Sequence, residues 1–374
     1  MKLLFFIHSL SSGGAERVMV TLANYWAAEG WEVIIATITG EDRDFYPLHP
    51  AVRRIAFCLD GASQSGLEAI ANNWRRIRAL RKVLGTEQPS IAIAFMPTAN
   101  ALLVLAATGK GIPTIGSERV HPPCMPLGGM WERVRQYTYG RLTTIVVQTE
   151  LSAQWLAENI TVKRDRIVVI PNPVTLPLLV NEPRLVLAEC KLDMGCTRIL
   201  LAAGRLDQQK GFDRLIDAFA QLADQQPEWG LVILGEGEQR AALEAQCLAT
   251  GLETRVRLPG AVGNVGECYE AADLYVLTSR FEGFPNTLLE ALAHALPAVA
   301  VDCETGPREI LRPEVDGLLV PQDDSVALVS ALERLMADDS LRGRFGQRAV
   351  EAQQRFSVGC VAEAWEKLIC EEGR

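Results

Sequence analysis

Residues 3–38 read LLFFIHSLSSGGAERVMVTLANYWAAEGWEVIIATI, and this stretch decides the fold class. Leu3 to Ile7 is an unbroken apolar run. A strand of a parallel sheet is covered on both faces, so it reads as continuous apolar residues and not as an alternation. The turn Ser11-Ser12-Gly13-Gly14 follows. From Ala15 to Glu29 the apolar positions Val18, Leu22, Tyr25 and Trp26 recur at helical spacing, and Gly30 closes the helix. Val33 to Ile38 is the next apolar run. Strand, crossover helix and parallel strand make one α/β unit.

Working outward, runs of the same kind stand at Ile91–Phe95, Thr114–Ser117 and Thr144–Gln148, with a helix ending near Leu84 ahead of the first. Ile170-Pro171-Asn172-Pro173-Val174 carries a strand end into proline punctuation, as a domain boundary does. The pattern then restarts. Arg198 to Ala203 reads as a strand, Gly204 to Gly211 as a loop and Phe212 to Leu222 as a helix. Further strands are expected at Leu231–Leu234, Arg255–Leu258, Leu274–Thr278, Ala298–Val301 and Leu318–Val320. The reading is α/β, with two Rossmann-like domains at 1–172 and 173–357. A C-terminal helix at about 358–374, with Trp365 on it, is expected to pack back on the first domain.

Composition excludes several classes. The chain has 374 residues, 48% hydrophobic and 22% charged, so it is neither disordered nor fibrous. Aromatic residues make up 6%, too few for single-strand stacking platforms. Residues 1–172 hold 18 Lys and Arg against 14 Asp and Glu, and the remainder holds 19 against 32. The net charge of −9 thus divides into +4 and −13. A basic first half suits an anionic partner other than nucleic acid. The nine cysteines are scattered and show no C-x-x-C spacing, which suits free thiols in a reducing compartment. The apolar run after Met1-Lys2 stops at His8, too soon for a signal peptide. The longest apolar stretch, Leu288 to Val301, is broken by Glu290, His294 and Pro297, so no membrane-spanning helix is expected.

Three segments carry site chemistry. The loop with Gly13 and Gly14 lets the backbone approach a ligand and opens a helix whose amides can face an anion. Its spacing is not G-x-G-x-x-G, so Glu41 and Asp42 are not read as a ribose-binding acid and NAD is set aside. The loop Gly204-Arg205-Leu206-Asp207-Gln208-Gln209-Lys210-Gly211 offers Arg205 as a fork and Lys210 as a point charge for a diphosphate. It lacks the G-K-[ST] of a Walker loop. The stretch from Thr278 to Glu290 holds two carboxylates, Glu282 in a Gly/Pro-bounded loop and Glu290 one turn into a helix. Asn286 or Thr287 is read as the cap of that helix, with the amides of Asn286, Thr287 and Leu288 aimed at an anion.

Six pieces, in order, resemble the family 4 retaining glycosyltransferases of the GT-B fold. They are Ser-Gly-Gly-Ala-Glu-Arg at 12–17, Ile-Pro-Asn-Pro-Val at 170–174, Gly-Arg-Leu-Asp-x-x-Lys-Gly at 204–211, Leu-Gly-Glu-Gly at 234–237, Phe-Glu-Gly-Phe-Pro-Asn-Thr-Leu-Leu-Glu at 281–290 and Asp-Gly-Leu-Leu-Val at 316–320. The resemblance is nearest to bacterial transferases that build glycans on polyprenyl-diphosphate lipids. It implies two domains facing each other across a cleft, a nucleotide-sugar donor (UDP-linked) on the C-terminal domain and an acceptor on the N-terminal one. It also implies metal-independent transfer with retention and no cofactor. By that resemblance Gly204, Arg205 and Lys210 hold the diphosphate, and Gly13 and Gly14 come up against it. Glu290 takes the ribose and Glu282 the donor sugar, and Gly235, Gly283, Phe284, Pro285, Asn286, Thr287 and Leu288 line the donor. The base lies along main chain near Pro259 to Val262. Closure of the cleft is expected to be coupled to donor binding through the last helix.

One departure stands out. Where relatives carry a His, this chain reads Ser117-Glu118-Arg119-Val120-His121. Arg119 falls at that place, and an Arg stabilises a leaving phosphate but does not act as a base at neutral pH. Glu118, Arg119 and His121 are therefore the catalytic candidates of the first domain. His8 is read as packed or functional alike, and His294 as a core residue. Asp42-Arg43-Asp44 matches a D-x-D metal motif but is read as a surface loop. Trp74 to Lys82 packs five cations into nine residues, with Trp74, Ile77 and Leu80 or Arg81 at helical spacing. A basic amphipathic helix of this kind suits peripheral contact with anionic membrane at the cytoplasmic face, and Gly128-Gly129-Met130-Trp131 with Arg133 and Arg135 can extend it. Two other readings remain. A GT-B-shaped sugar-nucleotide epimerase would want cleft histidines, and the chain has four His in all. A noncatalytic sugar-nucleotide-binding protein would tolerate loss of Glu282 or Lys210, and both are present.

Overall fold

The computed structural model describes residues 1–62 and 65–372. The chain divides into two compact units, Met1–Pro173 with the stretch from Val358 onward, and Val174–Ser357. Each is built on one parallel sheet.

The first unit has seven strands: β1 (Lys2–Ile7), β2 (Glu32–Thr37), β3 (Arg53–Ala56), β4 (Ile91–Phe95), β5 (Thr114–Ser117), β6 (Thr144–Val147) and β7 (Ile167–Val169). Their order is β3-β2-β1-β4-β5-β6-β7. Phe5 of β1 sits opposite Ile35 on one side and Ile93 on the other. β1 is solvent-free from Leu3 to Ile7, and its residues alternate between two cores. Leu3, Phe5 and Ile7 join the core that holds Val18, Leu22 and Trp26, while Leu4 and Phe6 face Leu80, Leu84 and Leu103. Helices on both faces are what a continuous apolar strand demands.

The second unit repeats the plan with β8 (Arg198–Ala203), β9 (Trp229–Leu234), β10 (Val256–Gly260), β11 (Leu274–Leu277), β12 (Ala298–Asp302) and β13 (Gly317–Pro321), in the order β10-β9-β8-β11-β12-β13. In both sheets the strand order reverses beside the first strand, at β1/β4 and at β8/β11. In open parallel sheets ligands bind at the carboxyl ends of the strands where the order reverses. Nearly every segment singled out for site chemistry follows the carboxyl end of a strand.

The expected strands are present within a few residues of their ends. β3 went unread because it is a four-residue edge strand beginning Arg53-Arg54 and only part-buried, so no apolar run announces it. All nine cysteines are unbridged.

The helix Val358–Glu372 belongs to the first unit, and residues 373 and 374 lie outside the described residues. Trp365 is fully buried, stacks on Phe95 with ring centroids 6.1 Å apart, and shares the core of β1. Trp26 Nε1 donates to Glu366 Oε1 at 2.9 Å across 340 residues of sequence. Trp365 Nε1 is buried without a partner among the described residues, so the ring contributes through packing. Trp365→Ala is expected to lower stability by about 3–5 kcal/mol. Trp365→Phe keeps an aromatic ring and loses no hydrogen bond, and should cost clearly less. Urea denaturation of the two variants measures the difference.

Candidate functional site

In the second unit, β8 runs into the loop 204–211 and β11 into the loop 278–285. The two loops meet across the point where strand order reverses. Asp207 accepts from the amide of Lys210 at 3.2 Å and closes a short 3-10 turn, Gln208–Lys210. The Arg280 amide donates to the Gln209 carbonyl at 2.7 Å, Gln209 Nε2 donates to the Phe281 carbonyl at 3.0 Å, and Thr278 Oγ1 donates to the Lys210 carbonyl at 3.1 Å. These bonds lock the loops together. They deliver Lys210 Nζ to Glu282 Oε1 at 2.6 Å, where Ser279 Oγ also donates at 2.7 Å. The Glu282 carbonyl accepts from Thr305 Oγ1. Glu282 is 6% exposed. A carboxylate this dry is tolerable because it is paired and hydrogen-bonded.

The helix Asn286–Ala293 starts directly after this loop. Its N-cap position is Pro285, and neither Asn286 nor Thr287 caps it with a side chain, contrary to expectation. The Leu288 amide donates to the Pro285 carbonyl at 3.1 Å, so it is not available to an anion as expected. Gly283, Phe284 and Pro285 are buried, and Asn286 and Thr287 half-buried. Glu290 is 3% exposed and accepts from Tyr269 Oη at 3.3 Å. Gly204 and Gly235 end β8 and β9 side by side. The Gly204 amide donates to the Leu234 carbonyl at 2.9 Å, and Gly235 adopts φ +137. A Cβ on Gly235 would lie 1.8 Å from the Gly204 carbonyl oxygen, so only glycine fits there. Val262 follows β10 and is half-buried. Arg205 and Lys210 turn different ways. Arg205 points to solvent with its side chain 74% exposed and Asp207 Oδ2 at 3.3 Å, whereas the Lys210 side chain is 14% exposed.

In the first unit the Gly13 carbonyl accepts from Tyr46 Oη at 3.2 Å, and Gly14 begins the helix Gly14–Ala28. The Glu16 carboxylate folds back over Gly13, 2.0 Å from where a Cβ would be. Burial raises its pKa above the usual carboxylate range, against a hydrogen bond from Ser9. After β5, successive residues take different partners. Glu118 is 2% exposed and accepts from Tyr139 Oη, which also receives Asn100 Nδ2 at 3.1 Å. Arg119 is 6% exposed, lies 3.9 Å from the centroid of Phe95, and donates to Asn172 Oδ1 at 3.0 Å. His121 is 1% exposed, with Nδ1 2.9 Å from Ser152 Oγ. The three candidates thus share a segment while these bonds lead to three different residues. His8 is exposed at the end of β1, and His294 is half-buried against Tyr269. Asp44 of the D-x-D triplet is held bidentately by Arg54 at 2.8 and 2.9 Å.

Residues 12–176 match the family described as Glycosyltransferase Family 4, and residues 195–352 match Glycosyl transferases group 1. An α-1,4-N-acetyl-D-galactosaminyltransferase of Campylobacter jejuni is 30% identical over 374 residues, covering 99% of each chain. Its acceptor is named as GalNAc-α-(1→4)-GalNAc-α-(1→3)-diNAcBac-PP-undecaprenol. The chain belongs to glycosyltransferase family 4. An exopolysaccharide phosphotransferase of Streptomyces coelicolor is 33% identical over 78% of this chain, a stretch that spans only 30% of that longer protein. Among solved structures, Anabaena HepE in complex with UDP and glucose superposes with a TM-score of 0.79 at 19% identity over 99% of both chains. The two Rossmann-like units of this glycosyltransferase are therefore of the GT-B class.

Ser279, Thr305, Tyr269, Asn172 and Glu16 went unread as parts of the site. Ser279 lies inside the stretch from Thr278 to Glu290, yet its bond to Glu282 depends on the loop's curl. Thr305 follows β12, and only the strand order β11-β12 brings it to Glu282.

The glycosyltransferase's helix Gly66–Glu87 buries Leu80 and Leu84 and exposes Leu67, Ile70 and Trp74, by 82%, 65% and 58%. Arg76 Nε is spent on the Leu59 carbonyl at 2.9 Å and Arg81 Nη1 on the Ala106 carbonyl at 3.0 Å. Arg75, Arg78 and Lys82 stay exposed, with Arg78 5.2 Å from the Trp74 ring centroid. Among the described residues no helix is long and apolar enough to cross a membrane.

Burial pushes the Glu118 carboxyl up to about 7, against the pull of the Tyr139 hydrogen bond. The folded chain therefore keeps a proton that the unfolded chain gives up from its ordinary value of 4.5. Stability falls as pH rises through that window and is level above it. Glu118→Gln keeps an acceptor for Tyr139 and carries no charge. It should be more stable than wild type at pH 8 by about 1–3 kcal/mol and equal to it near pH 4.5. Melting temperatures across pH 4.5–8 test this, and parallel curves for the two proteins would contradict it.

Proposed function

We propose that this glycosyltransferase takes a sugar from a UDP-linked donor held by its second unit and passes it, with retention and without a metal ion, to a lipid-linked glycan bound by its first unit. The observation that carries the reading is the Lys210–Glu282 pair at 2.6 Å, fixed by two interlocked loops at the reversal point of the second sheet and beside a helix N-terminus. Support comes from the UDP and glucose bound by HepE and from the diphosphate-lipid acceptor of the Campylobacter relative.

The parts have distinct tasks under this reading. Breaking the bond between the anomeric carbon and the diphosphate leaves negative charge on the diphosphate. Lys210 spends one of its three N–H donors on Glu282 and turns the others to that charge, with the first turn of the helix Asn286–Ala293 behind it. Arg205 closes on the same group from solvent. Glu282 uses Oε1 internally and offers Oε2 to a sugar hydroxyl. Glu290 meets the ribose, while Gly204 and Gly235, by letting the Lys210 stem and the ends of β8 and β9 pack closely, shape the floor beneath the nucleotide. The acceptor hydroxyl attacks from the face the diphosphate leaves, and its proton passes to the departing phosphate oxygen. No protein nucleophile is required, so Glu282 acts as a positioning group.

The acceptor reading rests on the helix Gly66–Glu87. Its outward stripe Leu67, Ile70 and Trp74 followed by Arg75, Arg78 and Lys82 suits a surface of anionic lipid at the cytoplasmic face, with Trp at the headgroup level.

Lys210→Ala and Glu282→Ala are each expected to cut transfer at least tenfold, a loss of about 1.4 kcal/mol or more in transition-state binding. UDP should raise the melting temperature of the wild type and not of Lys210→Ala. Wild-type transfer in either variant would refute the assignment. Arg75→Glu with Arg78→Glu and Lys82→Glu should weaken sedimentation with phosphatidylglycerol vesicles at least tenfold and leave UDP affinity intact. Unchanged sedimentation would remove the helix from the membrane reading.

A further inference from the structure

The described residues hold eleven buried side-chain atoms without a hydrogen-bond partner, and five belong to one stretch, residues 117–135. They are Ser117 Oγ, Glu118 Oε2, Arg119 Nε, Arg119 Nη2 and Arg135 Nη1. Buried polar atoms in folded proteins are almost always paired, and a concentration of orphans needs a cause. Arg119 is the most costly case. Its guanidinium carries a full charge at 6% exposure, yet its only hydrogen bond among the described residues goes to a neutral group, Asn172 Oδ1 at 3.0 Å. That oxygen is shared with Gln148 Nε2 at 2.7 Å. The Phe95 ring beneath it offers a cation–π contact but no negative charge. Glu118, its neighbour in sequence, is turned to Tyr139.

The geometry points to Arg119 as a receptor for a substrate phosphate. Nε and Nη2 share one edge of the guanidinium, and that edge is the two-pronged donor that matches two phosphate oxygens. Nη1, on the other side, anchors the group to Asn172. Arg119 follows β5 at the carboxyl edge of the first sheet, and the Phe95 ring under it ends β4 at the reversal point. Burial lowers the Arg119 pKa to about 9 with no carboxylate opposing it, which is what a cation lacking its counter-ion shows. Both free donors are closed to solvent here, so a phosphate reaches them by displacing the groups that cover them. The inference rests on the transferase reading, in which two substrates carry a diphosphate: the donor and the lipid-linked acceptor.

The test is calorimetric titration of the full chain with two probes, UDP for the donor and a short polyprenyl diphosphate in detergent micelles for the acceptor. Arg119→Gln removes the charge, Arg119→Lys keeps it and loses the fork, and Lys210→Ala serves as the independent control. Arg119→Gln is expected to weaken one probe at least tenfold, with Arg119→Lys in between, and the probe affected names the source of the phosphate. Its ligand-free melting temperature should equal or exceed that of the wild type, because an uncompensated buried charge is gone. Unchanged affinity for both probes overturns the proposal, as does a lowered melting temperature with unchanged affinities, the mark of a purely structural clamp on Asn172. If Lys210→Ala binds UDP normally while Arg119→Gln loses a diphosphate, the donor site in the second unit falls and Arg119 stands.

Discussion

A strand covered by helices on both faces has no side chain to offer a substrate. That constraint governs both units. β1 and β8 are sealed along most of their length, and so are their central neighbours. Polar chemistry is pushed to the strand ends, and the order of strands decides which ends are neighbours. In the second sheet the reversal between β8 and β11 sets Lys210 beside Glu282, 72 residues apart in sequence. Every bond that ties loop 204–211 to loop 278–285 follows from that placement.

The two units meet the constraint differently. The second unit pairs two of its buried acids internally: Glu282 has Lys210 and Ser279, and Asp316, fully buried, accepts from Arg312 Nε at 2.7 Å. The first unit leaves its charges at the end of β5 unsettled. Glu118 is kept near neutrality by burial, and Arg119 stands without an acid. The basic half of the chain therefore holds most of the buried polar atoms in want of partners among the described residues.

The fold was largely legible because parallel strands advertise themselves. Leu3–Ile7, Ile91–Phe95 and Arg198–Ala203 are runs of apolar residues that alternating surfaces do not produce. Arg53–Ala56 failed that test because an edge strand needs only half a cover. The apolar run Leu231–Leu234 does not announce Trp229-Gly230 as part of β9 because glycine interrupts it, though Gly230 sits against Met194 and Cys196, where a side chain would not fit. The stretch from Phe281 to Glu290 was readable as a loop feeding a helix, but not its wiring. Which oxygen of Glu282 meets which donor, or that the Leu288 amide is already spent, depends on curls of one or two residues that no spacing encodes. Glu118, Arg119 and His121 looked like a cluster on the page because they are adjacent. The bonds described lead to Tyr139, Asn172 and Ser152, which sit on two helices and on the loop after β7.

The return of the chain at Val358 has a bearing on biosynthesis. The second unit is one continuous stretch, Val174–Ser357, whose ends lie side by side where the Val174 amide donates to the Phe356 carbonyl at 2.8 Å. The first unit is interrupted by it and lacks Val361, Trp365 and Ile369 from its core until the last helix exists. On a ribosome, the domain begun first is thus the domain finished last. Its β1–β4 surface around Phe95 waits uncovered while the whole second unit is made, and that second unit, needing nothing from outside its own stretch, is free to fold in the interval.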